Sequence, residues 1–411
     1  MPLTDTLKRE FSFFKGNYAI VVVSWILIDF AFELPATYYA LFLNDLHATE
    51  TIIGLIGFAS LIAMASVQFP GGYLADKFGR KWLISSMSFG VAFCYVLYAI
   101  APSWHLIMFG AVLLGFVSMY DPAVNAIIAD SLPPEKRGMG FGIVMLIVTA
   151  SSTPAPAFAG LLRSQFGLVQ GMRIGYGIVV GLWLVAAILR LRLKETIANP
   201  RKPHLKELLH AYPTSLKESF GVWEKVPRSM FYLLLAFVSF NFGWAAVQLY
   251  LVKYAVSEIG ISEEFWPVML MALFVTTLVL AVPAGKTVDK FNRKIPLLVG
   301  FVAAIVSLWL FVKGDLVQLF LSLVIFGVAQ VVARAAYSSL EADLTPREQR
   351  GKVSGFRNLA TYIAIGVGNL VGGVLYEHFS PQLPFFFAIA FVVVSLFLTL
   401  TLVHEPEKRE E

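Results

Sequence analysis

The chain has 411 residues, 58% of them hydrophobic and only 14% charged, with a mean hydropathy of +0.73 and a formal net charge of +5. Those shares lie well above and well below the averages of water-soluble domains, which excludes a soluble enzyme and points to an all-α polytopic membrane protein. A single cysteine, Cys94, excludes an intrachain disulfide, and the absence of a Gly-Lys-Ser/Thr phosphate loop removes ATP as the evident energy source.

Twelve apolar runs follow one another near 18–43, 52–75, 82–101, 105–129, 138–165, 171–193, 229–256, 264–285, 295–313, 317–342, 352–379 and 383–403. Most meet the roughly 20 residues that cross a hydrocarbon core of about 30 Å. The first run is too long for a signal-peptide core and lacks a small-residue cleavage pattern, so it reads as a membrane helix. The runs divide six and six about the one long polar connection. The expected organisation is therefore two pseudo-symmetric six-helix bundles, 1–193 and 229–411, joined by a cytoplasmic linker, 194–228. Leu205-Lys206-Glu207-Leu208-Leu209-His210 in that linker fits an amphipathic helix lying on an anionic leaflet, with His204 and His210 in water.

Charge orients the bundle. With a cytoplasmic N-terminus, all but five of the 32 Lys and Arg residues fall on the cytoplasmic side; Arg163, Arg173, Lys253 and Lys313 lie outside, and Arg334 lies at mid-membrane. This is a positive-inside pattern, so the basic pI is a matter of topology and implies no nucleic-acid partner. Both termini are expected in the cytoplasm.

The chain also repeats itself at an offset of 213 residues. Gly72-Tyr73-Leu74-Ala75-Asp76-Lys77-Phe78-Gly79-Arg80-Lys81 recurs as Gly285-Lys286-Thr287-Val288-Asp289-Lys290-Phe291-Asn292-Arg293-Lys294, and Pro70 recurs as Pro283. The same offset carries Asp130, Arg137, Gly138, Gly142, Gly160 and Phe166 onto Asp343, Arg350, Gly351, Gly355, Gly373 and Phe379. A long period of this kind marks two copies of one unit, and six helices per copy make the repeats parallel.

Two six-helix halves with Gly-x-Leu-Ala-Asp-Lys-x-Gly-Arg-Lys between helices 2 and 3, and a weaker copy between helices 8 and 9, resemble the major facilitator superfamily over essentially the whole chain. The resemblance implies that the motif glycines, Gly72 and Gly285, permit close packing where helices 2 and 8 end. It implies that Asp76, Arg80 and Asp130 form a cytoplasmic latch and Asp289, Arg293 and Asp343 a second one, with Gly79, Lys81, Arg137 and Arg350 in the same gating set. Asn292 stands where the first copy has Gly79. In helix 5, Gly142, Ser151, Ala155, Pro156, Ala159 and Gly160 fit the spacing of that family's antiporter signature, and helix 11 repeats it as Gly355, Ala364, Gly368, Asn369, Gly372 and Gly373. Small residues let helices approach closely, and Pro156 is expected to bend its helix. The likeness is to the drug:proton antiporter branch, without its usual Arg early in helix 4, where Ala111 stands.

Chemistry is expected where charge is expensive. A charged residue at the bilayer centre costs about 2.5 to 3.5 kcal/mol on insertion scales, so it faces a cavity or a partner. Four residues qualify: Asp29 and Glu33 in helix 1, Asp121 in helix 4 and Arg334 in helix 10. Asp121 lies nine residues before Asp130, about 13.5 Å along a helix, and Arg334 lies nine before Asp343, so the two are repeat equivalents at one depth. The resemblance turns helices 1, 4, 7 and 10 toward a central cavity, where Asp121 and Arg334 would pair across the axis or part to receive substrate. Asp29 and Glu33, four apart, share a helical face, and two carboxylates that close in a low dielectric do not both ionise freely, as a proton carrier requires. Pro35 loosens the ladder beside them. Three acids against one base call for a proton, a metal ion or a cationic substrate, with Arg334 substituting for the missing helix 4 Arg. Trp25, Asn241, Trp244, Gln248, Gln330, Tyr337, Asn358, Thr361 and Tyr362 complete the expected cavity, its aromatic faces suited to an amphipathic cation.

The expectation is a monomeric, cofactor-free secondary transporter of the cell membrane. It would export lipophilic or cationic small molecules against protons by alternating access. Proton-coupled nutrient uptake, divalent-metal transport and lipid transport stay open.

Overall fold

The computed structural model describes residues 13–133, 136–197, 221–290 and 293–405. The predicted amphipathic helix at 205–210, His204, His210 and Asn292 lie outside them, as do the side chains of Arg137 and Asp289.

Among the described residues, eleven helices are long and apolar enough to cross a membrane, and a twelfth apolar helix covers Trp266–Ala281. Helices are the element an isolated membrane segment can form, because each satisfies its own backbone polar groups. In chain order they are α1 (Gly16–Ala36), α2 (Tyr39–Asp45), α3 (Glu50–Phe78), α4 (Arg80–Ile100), α5 (Trp104–Val117), α6 (Asp121–Ser131), α7 (Arg137–Ser152), α8 (Ala155–Phe166) and α9 (Leu168–Arg190) in the first half. The second half holds α10 (Arg228–Gln248), α11 (Leu251–Ser257), α12 (Trp266–Lys290), α13 (Lys294–Lys313), α14 (Leu316–Leu344), α15 (Arg350–His378) and α16 (Leu383–Leu402). Large apolar side chains such as Phe109, Phe116, Ile188, Val279 and Phe397 stand on the outer surface, as expected where a bilayer is the solvent.

Four spans are broken where the sequence ran on as one apolar stretch. The first stops at Ala36, directly after Pro35, and resumes as α2; the seventh breaks at the equivalent place, between α10 and α11. The fourth passes through a 3-10 turn at Ser118–Tyr120 before Pro122 restarts it as α6. Proline has no N–H to give and crowds the carbonyl four residues back, which ends a regular ladder there. The fifth breaks at Thr153–Pro154, so Pro154 is the hinge; Pro156, expected to bend the helix, sits buried in the first turn of α8.

Within the first half, α9 packs on α1 and α4, and α3 on α5; within the second, α13 packs on α14 and α16, and α10 on α15 and α16. The halves meet along two seams, α3 against α15 and α7–α8 against α12. Asn17 donates to the Lys194 carbonyl, and the Lys294 N–H donates to Glu405, so the start of α1, the end of α9, the motif loops and the end of α16 share one face. It is called the motif face below, and its opposite the far face.

Candidate functional site

The motif ends α3 at Gly79, whose φ of 110° reverses the chain into α4 and suits glycine. Arg80 then pairs with Asp130 and lies 3.4 Å from Asp76, while Glu195 receives the N–H groups of Arg80 and Lys81 at the start of α4. In the second copy Arg293 pairs with Asp343 and donates to the Ser339 carbonyl. Arg350 donates to the carbonyls of Ala342 and Thr345, closing the end of α14. Each set ties helices of one half together. Gly72 is a correction: a Cβ there would meet only Pro122 at 3.9 Å, and it is Gly71 whose backbone lies against the Met119 carbonyl of the 3-10 turn. Around Gly285 a Cβ would meet open space, so it too is not a packing glycine. Gly160, Gly372 and Gly373 lie against Pro267, the Ala246 carbonyl and the Glu50 carbonyl respectively.

The far face is drawn shut. Tyr38 Oη donates to the Glu263 carbonyl at 2.8 Å, and Trp266 Nε1 donates to the Thr37 carbonyl at 3.1 Å. Arg163 Nε meets Glu263 Oε2 at 2.5 Å, Lys253 pairs with Glu50, and the Thr51 N–H donates to Glu377. All five join one half to the other. On the motif face a cavity of about 690 Å³ opens between α3, α6 and α15, lined by Asp76, Asp121, Asn125, Asn358 and Tyr362 among others.

The acids of the first half are spread in depth. Asp121 faces that motif-face cavity; Glu33 faces a separate cavity of about 400 Å³ toward the far side, walled by Tyr39, Tyr95, Tyr98, Tyr176, Gln248 and Trp266. Asp29 lies between them, with Oδ2 buried and, among the described residues, no hydrogen bond to it. The cation beside them is one the sequence placed in the cytoplasmic group. Arg190, the last residue of α9, is 0% exposed and folds back into the half, donating to Ser24 Oγ at 3.1 Å and Ser88 Oγ at 2.9 Å. Its guanidinium lies over the rings of Tyr120 and Trp183, its Nη2 has no hydrogen bond among the described residues, and its charge acts on both Asp29 and Asp121.

Arg334 does not pair with Asp121. It stands on the other half, in a cavity of about 390 Å³ with Asn241, Gln330, Tyr337, Asn358, Thr361 and Tyr362, and its polar contact is Met145 Sδ at 3.9 Å. Asn358 and Tyr362 line both this cavity and the one holding Asp121, so acid and base occupy adjoining walls. Two further charges, also unread in the sequence, sit here: Arg357 and Glu341 pair with one another, and Arg357 donates to Ser354 and Asn358. Their repeat equivalents are Val144 and Ile128, and that of Arg190 is Val403; a polar residue opposite an apolar one at this offset is the signal that picks out all three. Two expected cavity residues are corrections. Trp244 stacks on Phe326 at 4.1 Å inside its own half, and Trp25 packs against the core of the first; neither lines these cavities.

The model of the Major Facilitator Superfamily matches residues 21–275 and 253–411. The chain belongs to that superfamily. Relatives include the minor myo-inositol transporter IolF of Bacillus subtilis, 25% identical over 83% of this chain and 80% of that one. The multi-drug resistance efflux pump PmrA of Streptococcus pneumoniae is 24% identical over 90% and 92%. Among solved structures, a mutant of the nucleoside transporter NupG superposes with a TM-score of 0.73 at 16% identity over 93% of this chain and 98% of that one. The twelve-helix fold is thus that of a superfamily transporter, and its relatives resemble drug exporters and solute transporters alike.

Proposed function

We propose that this superfamily transporter exports lipophilic or cationic small molecules in exchange for protons. It would work as a monomer in the cell membrane, with the motif face and both termini cytoplasmic, two transporting units at 1–193 and 229–411, and no cofactor. The observation that carries the reading is the set of three membrane-depth carboxylates in one half: Asp29 and Asp121 share the charge of a single buried guanidinium, Arg190, Glu33 faces its own cavity, and among the described residues none of the three has an ion pair at 4 Å or less. Two excess negative charges in the first half, only one of them offset by Arg334 on the adjoining wall, call for positive charge in every part of the cycle. A proton or a substrate cation supplies it, and where either can, binding of one disfavours the other, which is antiport. The aromatic wall around Glu33 suits a flat lipophilic cation. In this state, closed at the far face, a substrate would enter from the cytoplasm through the motif-face cavity, and far-face opening would release it.

In proteoliposomes, Asp29→Asn and Asp121→Asn should each abolish dye transport driven by a pH gradient while leaving the protein folded. Undiminished activity in both would overturn the reading. The amide-rich wall of Asn241, Gln330 and Asn358 favours a second reading, proton symport of a polar nutrient. An inward proton gradient that fills vesicles with solute, rather than emptying them, would select it. The divalent-metal reading loses support because the three acids occupy different depths and, among the described residues, no three potential ligands converge.

A further inference from the structure

The second half presents a wall that a site for cations alone leaves unexplained. Arg334 is exposed in the cavity of about 390 Å³ and, among the described residues, has only the Met145 thioether within polar contact. A second guanidinium, Arg357, lines the same cavity, and its charge acts on Arg334. Glu341 neutralises Arg357, which leaves this wall one positive charge in excess. Among the described residues, Thr361 Oγ1 there has no hydrogen bond, and Oη of Tyr337, which is 5% exposed, has only the Arg357 guanidinium beside it, a donor that leaves the hydroxyl proton unused. Buried polar groups left unsatisfied are costly, and an uncompensated guanidinium at membrane depth is more so. Cation, hydroxyls and cavity all call for the same occupant, an anion.

We propose that this cavity is a subsite for the carboxylate of a substrate whose cationic aromatic part faces the acids of the other half. The class transported is then amphoteric, a flat aromatic molecule carrying one basic and one acidic group. This rests on the reading of the central cavities as the substrate site. Arg334 would take the carboxylate through its guanidinium fork, a charge-assisted geometry that Lys reproduces only in part. Tyr337 and Thr361 would donate to the remaining lone pairs. The body of the substrate would bridge the halves past Asn358 and Tyr362, which both cavities share. In the absence of a substrate the acid wall and the base wall stay unpaired.

Rhodamine 110 and its methyl ester, rhodamine 123, differ only in a free carboxylate. Their dissociation constants for the full purified chain can be read by fluorescence polarisation. The wild type should favour the acid about tenfold, equal to about 1.4 kcal/mol. Arg334→Gln should erase that preference, read as the ratio of the two dissociation constants, and Arg334→Lys should keep part of it. Equal affinities in the wild type, or a preference that survives Arg334→Gln, would overturn the subsite. Failure of both dyes to bind would count against the lipophilic-cation reading instead. The subsite is then judged with benzoate, which should protect Arg334 from phenylglyoxal as read by mass spectrometry; unprotected Arg334 sinks it.

Discussion

Arg190 decides how the first half carries its acids. A long basic side chain at the end of a membrane helix ordinarily snorkels to water, but this one turns inward. Ser24 and Ser88 take two of its donors, and Tyr120 and Trp183 cover its face. Replacing one member of a buried charge set strands the others, at a cost of roughly 3 to 5 kcal/mol. Arg190→Leu should therefore lower the thermal stability of the detergent-solubilised protein markedly. Adding Asp29→Asn to it should recover part of the loss, because the carboxylate it stranded is then neutral. Strictly additive losses in that double-mutant cycle would show that Arg190 and Asp29 do not interact. The role of Arg190 is illegible in one dimension. As the last residue of an apolar run it reads as a cytoplasmic anchor, and only packing reveals which way the side chain goes. Asp29, Glu33 and Asp121 stand out in the sequence because an acid inside an apolar run is costly unless it meets a cavity, water or a partner. Arg357 and Glu341 do not, since each lies close enough to a run's polar end to pass for a surface charge.

At the scale of elements, the helix breaks place the chemistry. Asp121 is the first residue of α6, so the turn at Ser118–Tyr120 sets where its carboxyl stands. That turn is seated on Gly71. A methyl group added there would overlap the Met119 carbonyl, whereas one added at Gly72 would make an ordinary contact with Pro122. Overpacking of this kind costs about 1 to 3 kcal/mol. Gly71→Ala should thus lower the unfolding temperature and depress transport, and Gly72→Ala should do neither; the reverse ranking would restore the packing role to the motif glycine. Apolar runs reveal that a span exists and roughly where it ends. They conceal a broken span when both pieces are equally apolar. Proline narrows the choice of hinge without making it: Pro154 breaks the fifth span, while Pro156, two residues on, is accommodated in the first turn of a helix, where its missing N–H costs nothing.

At the scale of the whole molecule, two kinds of polar contact do different work. The pairs of the repeated motif, Arg80 with Asp130 and Arg293 with Asp343, lie within a half and tie its helices together. The far-face contacts, Arg163 with Glu263 and Lys253 with Glu50, lie between halves and bear on which side is open. Rocking of one half on the other preserves the first kind and breaks the second. An ion pair near water is worth up to about 1 kcal/mol, so losing both far-face pairs should shift the ratio of far-open to far-closed molecules by roughly tenfold. Arg163→Gln with Lys253→Gln should therefore increase the long-distance population between spin labels at Ser164 and Glu258. Gly373→Leu should act in the same direction by a separate route, because its side chain would wedge α15 away from the Glu50 carbonyl. Asp130→Asn should lower stability and leave the distance distribution in place. A distribution that moves with Asp130→Asn but not with the far-face pair would transfer the gate to the motif. The fold would then be held shut from the side on which this structure is open.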